Sequence, residues 1–104
     1  MLFHVTMSHT EDNCPQHDAE LRAQFMEARD RREEIAGRHG VALHPWLTAG
    51  PEHLFFVMLE AEGGAGVNDF LRETAPFRHS SQVRPVVTAE EQTERLAGQG
   101  AAGG

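Results

Sequence analysis

Between His4 and His17 the chain reads His4-Val-Thr-Met-Ser-His9-Thr-Glu-Asp-Asn-Cys14-Pro-Gln-His17, which puts three histidines and the sole cysteine across one strand-to-helix turn. Imidazole and thiolate are the common soft metal ligands and also carry protons and electrons, so a local cluster of them marks a candidate site. His9, Cys14 and His17 follow the spacing His-x4-Cys-x2-His. That spacing is workable for a Zn, Ni or Cu ion, with a fourth ligand from His4, His79, a partner subunit or water. Cys14 stands just ahead of Pro15, a residue suited to the first turn of a helix. Free backbone N–H groups and the positive end of the helix dipole favour a thiolate there, and His17 falls in the same turn. The plainer alternative is that Asp12 or Asn13 caps the helix, Cys14 packs as a small hydrophobe and the histidines are solvated.

A second set of residues suits an organic ligand. His4 and Thr6 alternate onto one face of the first strand, His44 and Trp46 read as sharing a face of the second, Phe55 lies on the third, and His79 follows the second helix. Together they would line a cavity between sheet and helices, apolar with a few polar groups, as small ligands require. In this reading His4 and His44 are the catalytic, proton-handling pair, while Thr6, Trp46, Phe55 and His79 contact the ligand. The structural alternative makes the two histidines satisfied sheet residues and Trp46 part of the core or of a dimer interface. There is no tyrosine, which excludes a mechanism built on a phenol donor.

These groups must be held by elements that the apolar pattern locates. Leu2 to His9 alternates, with Phe3, Val5 and Met7 on one face, as a half-buried strand does. A long helix is predicted from Pro15 to His39, with Leu21, Phe25, Ala28 and Ile35 on one stripe and Gly40 as a left-handed stop. Val41 to Thr48 reads as a second strand, Gly50-Pro51 as a turn, and His53 to Glu60, with its Leu-Phe-Phe-Val-Met-Leu run, as a third. Gly63 to Gly66 reads as a connector; it lacks the Lys-Ser or Lys-Thr of a phosphate-binding loop. Val67, Phe70, Leu71 and Thr74 then fall at helical spacing until Pro76. Gln82 to Thr88 forms a fourth strand, in which Pro85 calls for an edge position or a bulge. Past Thr88, Glu90 to Leu96 suits one or two helical turns.

The order βαββαβ is the ferredoxin-like pattern: α+β, a four-stranded antiparallel sheet with two helices on one face. The domain spans residues 1–92, and 93–104 reads as a flexible Gly/Ala-rich tail. Both faces of the third strand carry apolar groups, so the uncovered side of the sheet calls for a partner, and the economical one is a second copy.

Composition bounds the function. The 104 residues hold 16 acidic side chains against nine arginines and no lysine, a net charge of −7, with no basic patch for phosphates. Nucleic acid and an anionic membrane surface are not expected partners. No window approaches the run of about 18 apolar residues that spans a bilayer, and the first residues are not those of a signal peptide. One cysteine makes no internal disulfide, which suits a reducing compartment, so the expected location is cytoplasmic.

The element order, the length near one hundred residues and the apolar third strand make the chain similar to the dimeric α+β barrel superfamily. That superfamily includes small monooxygenases, muconolactone-isomerase-like proteins and stress-responsive barrel proteins. Met1-Leu-Phe-His-Val-Thr, Leu43-His44-Pro-Trp46 and Val83-Arg-Pro-Val-Val-Thr resemble an uncharacterised bacterial family of about this length, over residues 1 to about 92. A ferredoxin-like nickel-binding relative also carries histidines on its first strand, though as an adjacent pair that this sequence lacks. The resemblance implies a homodimer that binds a small organic ligand without a cofactor, with isomerase-like or monooxygenase-like activity. The alternatives are a metal-binding protein that uses His9, Cys14 and His17, and a non-enzymatic stress-response or interaction module.

Overall fold

The computed structural model describes residues 1–75 and 78–103; Pro76 and Phe77, at the expected end of the second helix, lie outside them. Strand β1, Leu2–Ser8, buries Phe3, Val5 and Met7 and turns Leu2, His4, Thr6 and Ser8 to the other face. Helix α1 starts later than the position of Pro15 suggests, at Ala19. Asp18 is its cap: one carboxylate oxygen accepts the N–H groups of Glu20 and Leu21 at 2.9 and 3.1 Å. The residues before it form a 3-10 turn, Glu11–Asn13, and a further turn through Cys14.

The single long helix expected up to His39 is broken. α1, Ala19–Asp30, stops at Arg31, whose φ of −103° and ψ of 8° leave the helical region, and α2, Arg32–Arg38, follows directly. A straight helix from Pro15 to His39 would run about 37 Å at 1.5 Å per residue. The seven-residue strands beneath it span only about 23 Å. With the break at Arg31, Phe25 of α1 packs against the core that Ile35 and Ala36 of α2 enter. α2 ends as its glycine requires. Gly40 takes φ 68°, its N–H bonds to the Gly37 carbonyl, and the Val41 N–H reaches back to Ala36 at 2.8 Å.

β2 is Ala42–Ala49; a 3-10 turn, Gly50–Glu52, leads to β3, Leu54–Glu60. α3, Gly64–Thr74, buries Val67, Phe70, Leu71 and Thr74. Most of the glycine run read as a connector is therefore the first turn of this helix. A Cβ on Gly66 would lie 2.7 Å from the His39 carbonyl oxygen, so the glycine lets α3 pack against the end of α2. β4, Ser80–Val86, completes the sheet. The tail expected from residue 93 is instead part of α4, Ala89–Gly103, whose start is capped by the Thr88 hydroxyl accepting the Glu91 N–H at 3.1 Å.

The sheet is antiparallel throughout, in the order β2-β3-β1-β4, the ferredoxin-like arrangement. β4 is an edge, where Pro85 forfeits no ladder bond on its free side. One face of the sheet packs under α1, α2 and α3, with Phe3, Val5, Met7, Phe55, Val57 and Leu59 meeting Ile35, Val67, Phe70 and Leu71. On the opposite face, Leu2, Glu60 and Val86 border a depression together with Glu91 and Arg95 of α4. No helix among the described residues is long and apolar enough to cross a membrane.

Candidate functional site

Strand register brings the chemistry together. β1 and β3 pair with Ser8 opposite Leu54, so the next residues outward, His9 and His53, also face one another, and the His9 N–H donates to the His53 carbonyl at 3.2 Å. Their rings meet edge to face with centroids 5.1 Å apart, and His9 stacks on Phe55 at 5.4 Å. The β1–α1 loop carries Cys14, 2% exposed, to the same place. One ligand atom each from His9, Cys14 and His53 lies within 4.8 Å of the others.

Each side chain is positioned by a distinct local device. His53 caps the turn Gly50–Glu52 in the left-handed conformation, φ 55° and ψ 43°, a region open to few residues besides glycine. Cys14 is held through its backbone: its N–H bonds to Glu11, and its carbonyl accepts from both His17 and Asp18. Arg22 of α1 ties down the rest of the loop by donating to the Pro15 and Gln16 carbonyls, each at 3.1 Å. Burial, with His53 and His79 nearby, lowers the pKa of His9 below its ordinary 6.5. Its imidazole is therefore neutral at neutral pH and offers a lone pair.

These three groups form part of the wall of a cavity of about 250 Å³, otherwise lined chiefly by Pro15, Phe25, Thr48, Leu54 and Phe55, with Gln16 and Arg22 at its side. Phe25 and Phe55 stack at 5.8 Å with 13° between their planes. Behind them Trp46 stands edge-on to Phe55 at 5.8 Å and to Phe25 at 6.3 Å, and the Arg32 guanidinium lies 4.0 Å over its ring. Burial, with Arg29 beside it, pushes the Arg32 pKa down, and the indole face offsets part of that lost hydration.

The residues that the sequence singled out are therefore divided. His9 and Cys14 come together, but the third member is His53; His17 is exposed, its ring 6.1 Å from that of His53. Phe55 lines the cavity, and Trp46 backs it. His4 and Thr6 lie on the face turned away from the core, opposite Met58 and Phe56, with the His4 ring 6.4 Å from Phe56. His44 is exposed at the sheet edge and pairs with Glu60 at 3.2 Å. His44 and Trp46 do not share a face, contrary to simple alternation. Leu43 pairs with Leu59 and Trp46 with Val57, so one extra residue is accommodated between them, at His44-Pro45. This bulge turns Trp46 into the core side and leaves His44 outside. His79 acts electrostatically on His9 but borders a different depression, with Asn68, Leu71, Arg72 and Ser81.

No family model matches the sequence, and no curated protein matches it. Among solved structures the chain is similar to the crystal structure of muconolactone isomerase at 3.3 Å resolution, with a TM-score of 0.55 and 17% identity. The match covers 85% of this chain and 90% of that one. At that identity the likeness lies in the fold: this chain has a ferredoxin-like α+β fold, and its site rests on its own residues.

Proposed function

We propose that this protein binds a small, largely apolar organic molecule in the cavity between the β1–α1 loop, the β2–β3 turn and α1, and that it works as a homodimer in a reducing, cytoplasmic setting. The observation that carries this reading is the composition of the cavity wall. Stacked Phe25 and Phe55 with Leu54 and Pro15 supply the apolar part, and the nitrogen and sulfur groups of His9, Cys14 and His53 gather at one end. A few convergent polar groups on an otherwise apolar wall are how small ligands are oriented. A volume of about 250 Å³ falls just below the roughly 300–1,000 Å³ of drug-sized pockets, so it suits a molecule the size of a single ring.

Trp46 reports on the site without lining it, since both of its aromatic neighbours are wall residues. Small ring compounds, with toluene and phenol as first probes, should change Trp46 fluorescence and raise the melting temperature by mass action. Thr48→Trp, on an exposed edge strand, fills the cavity from its rim. It should abolish both responses while leaving the fold intact. If millimolar probes move neither signal in the unaltered protein, the cavity is not a ligand site.

A further inference from the structure

We propose that His9, Cys14 and His53 form a three-ligand binding site for a thiophilic transition-metal ion of the Zn²⁺ class, with the remaining coordination position open to the cavity. The inference deepens the cavity reading and depends on it only for what occupies that open position.

The geometry is that of a ligand set assembled from three separate segments: the end of β1, the loop before α1, and the β2–β3 turn. A tetrahedral ion with Zn–N of about 2.0 Å and Zn–S of about 2.3 Å separates its ligand atoms by roughly 3.3–3.7 Å. The three atoms here lie within 4.8 Å of one another, so closure onto an ion takes side-chain shifts of about 1 Å. The devices that hold the ligands lie in loops and turns outside the hydrophobic core: the left-handed backbone of His53, the His9–His53 backbone bond, and the Arg22 clasp on residues 15 and 16. Two imidazoles and a thiol with no carboxylate in the set select against hard ions such as Mg²⁺ and Ca²⁺. Three protein ligands with a cavity on the fourth side is the pattern of a reactive rather than a purely structural centre. On binding, the ion replaces the thiol proton: a metal–sulfur bond forms, one proton per site goes to solvent, and no electron moves.

The test uses the untagged full chain, stripped of metal and titrated with Co²⁺. A thiolate-to-cobalt charge-transfer band should rise to saturation at one ion per chain, be displaced by Zn²⁺, and accompany release of a proton. Cys14→Ala should remove the band. His53→Gly, which suits the left-handed backbone, should weaken Co²⁺ binding at least about tenfold, the smallest loss expected even for an outer-shell partner. His17→Ala and His44→Ala should leave the titration unchanged. Absence of the band in the unaltered protein, or its persistence in Cys14→Ala, overturns the proposal. The toluene titration separates the two readings: cobalt binding without any probe response keeps the ion and sinks the cavity, whereas probe binding without the band does the reverse.

Discussion

At the scale of single residues, His53 carries both a conformational cost and the site's geometry. A non-glycine residue in the left-handed region costs about 1–2 kcal/mol, and histidine is among the few side chains that tolerate it. The metal-free His53→Gly variant should therefore unfold within about 1 kcal/mol of the unaltered protein, since relief of strain and loss of ring contacts oppose one another. His53→Val, with a branched Cβ at φ 55°, should lose about 1–3 kcal/mol in urea unfolding. Equal losses for both would mean that the ring contacts, and not the backbone, fix this turn. The same residue shows where sequence reading ran out. His9 and Cys14 are five residues apart and advertise themselves as a pair. His53 joins them only through the antiparallel register of β1 and β3, which a local pattern does not contain. Once Ser8 is known to face Leu54, the pairing of His9 with His53 follows directly. His4, Thr6 and His44 were mislaid for the opposite reason: alternation says which residues share a face but not which face the helices cover.

At the scale of elements, α2 and α3 are joined by two features that make separate predictions. Gly66 lets the backbones approach, and Gly66→Ala would force its Cβ to within 2.7 Å of the His39 carbonyl oxygen, a backbone atom that cannot swing away. The expected loss is about 1–3 kcal/mol, the usual cost of overpacking, read as a lower midpoint in denaturant. Gly63→Ala, with nothing near its Cβ position, is the control. On the surface, Glu73 accepts from His39 at 2.7 Å and from Arg38 at 3.0 Å, which holds its carboxyl below its ordinary 4.5. A depressed folded-state value means that the contribution is present above about pH 4.5 and is withdrawn as the pH falls further. Glu73→Gln should flatten the acid limb of melting temperature against pH, the difference from the unaltered protein shrinking as the pH falls below about 4.5. An unchanged acid limb would show that the clamp is fully screened, as exposed pairs often are. The stripe of α3 and the alternation of β1 and β3 were legible because burial of one face imposes a period. The break at Arg31 and the bulge at Pro45 were not. Arg29-Asp30-Arg31-Arg32 contains neither Gly nor Pro, so no local signal marks the break.

At the scale of the whole molecule, the sheet has one face packed under α1, α2 and α3 and an opposite face that is only partly buried. Leu2, His4 and Thr6 of β1, Phe56 and Met58 of β3 and Val86 of β4 are only half-buried by their neighbours in the sheet, and Leu47 of β2 is 61% exposed. The face also carries charge, since Glu60 is in register with Leu2 and Arg84 with His4. These charges are partly engaged within the face: Glu60 pairs with His44, and Arg84 bonds to Gln82, which is in register with Thr6. Exposed apolar groups set among a few polar ones suit an interface, and the partner to test first is a second copy, whose matching face is guaranteed. The sharpest probe is Met58→Glu, which sets a charge in the middle of the partly buried face, opposite His4 on the neighbouring central strand. Light scattering should then fall from twice the chain mass of 11.5 kDa to that mass itself, whereas Ala23→Glu, on the exposed side of α1, should leave the dimer intact. The cavity with His9, Cys14 and His53 lies against α1 and is built from one chain alone. The monomeric variant should therefore still take up one cobalt ion per chain, with the band of the unaltered protein. Loss of the ion along with the dimer would mean that a partner's residue completes the coordination sphere. A chain that is monomeric at every concentration before mutation would mean that the partly buried face has some other partner.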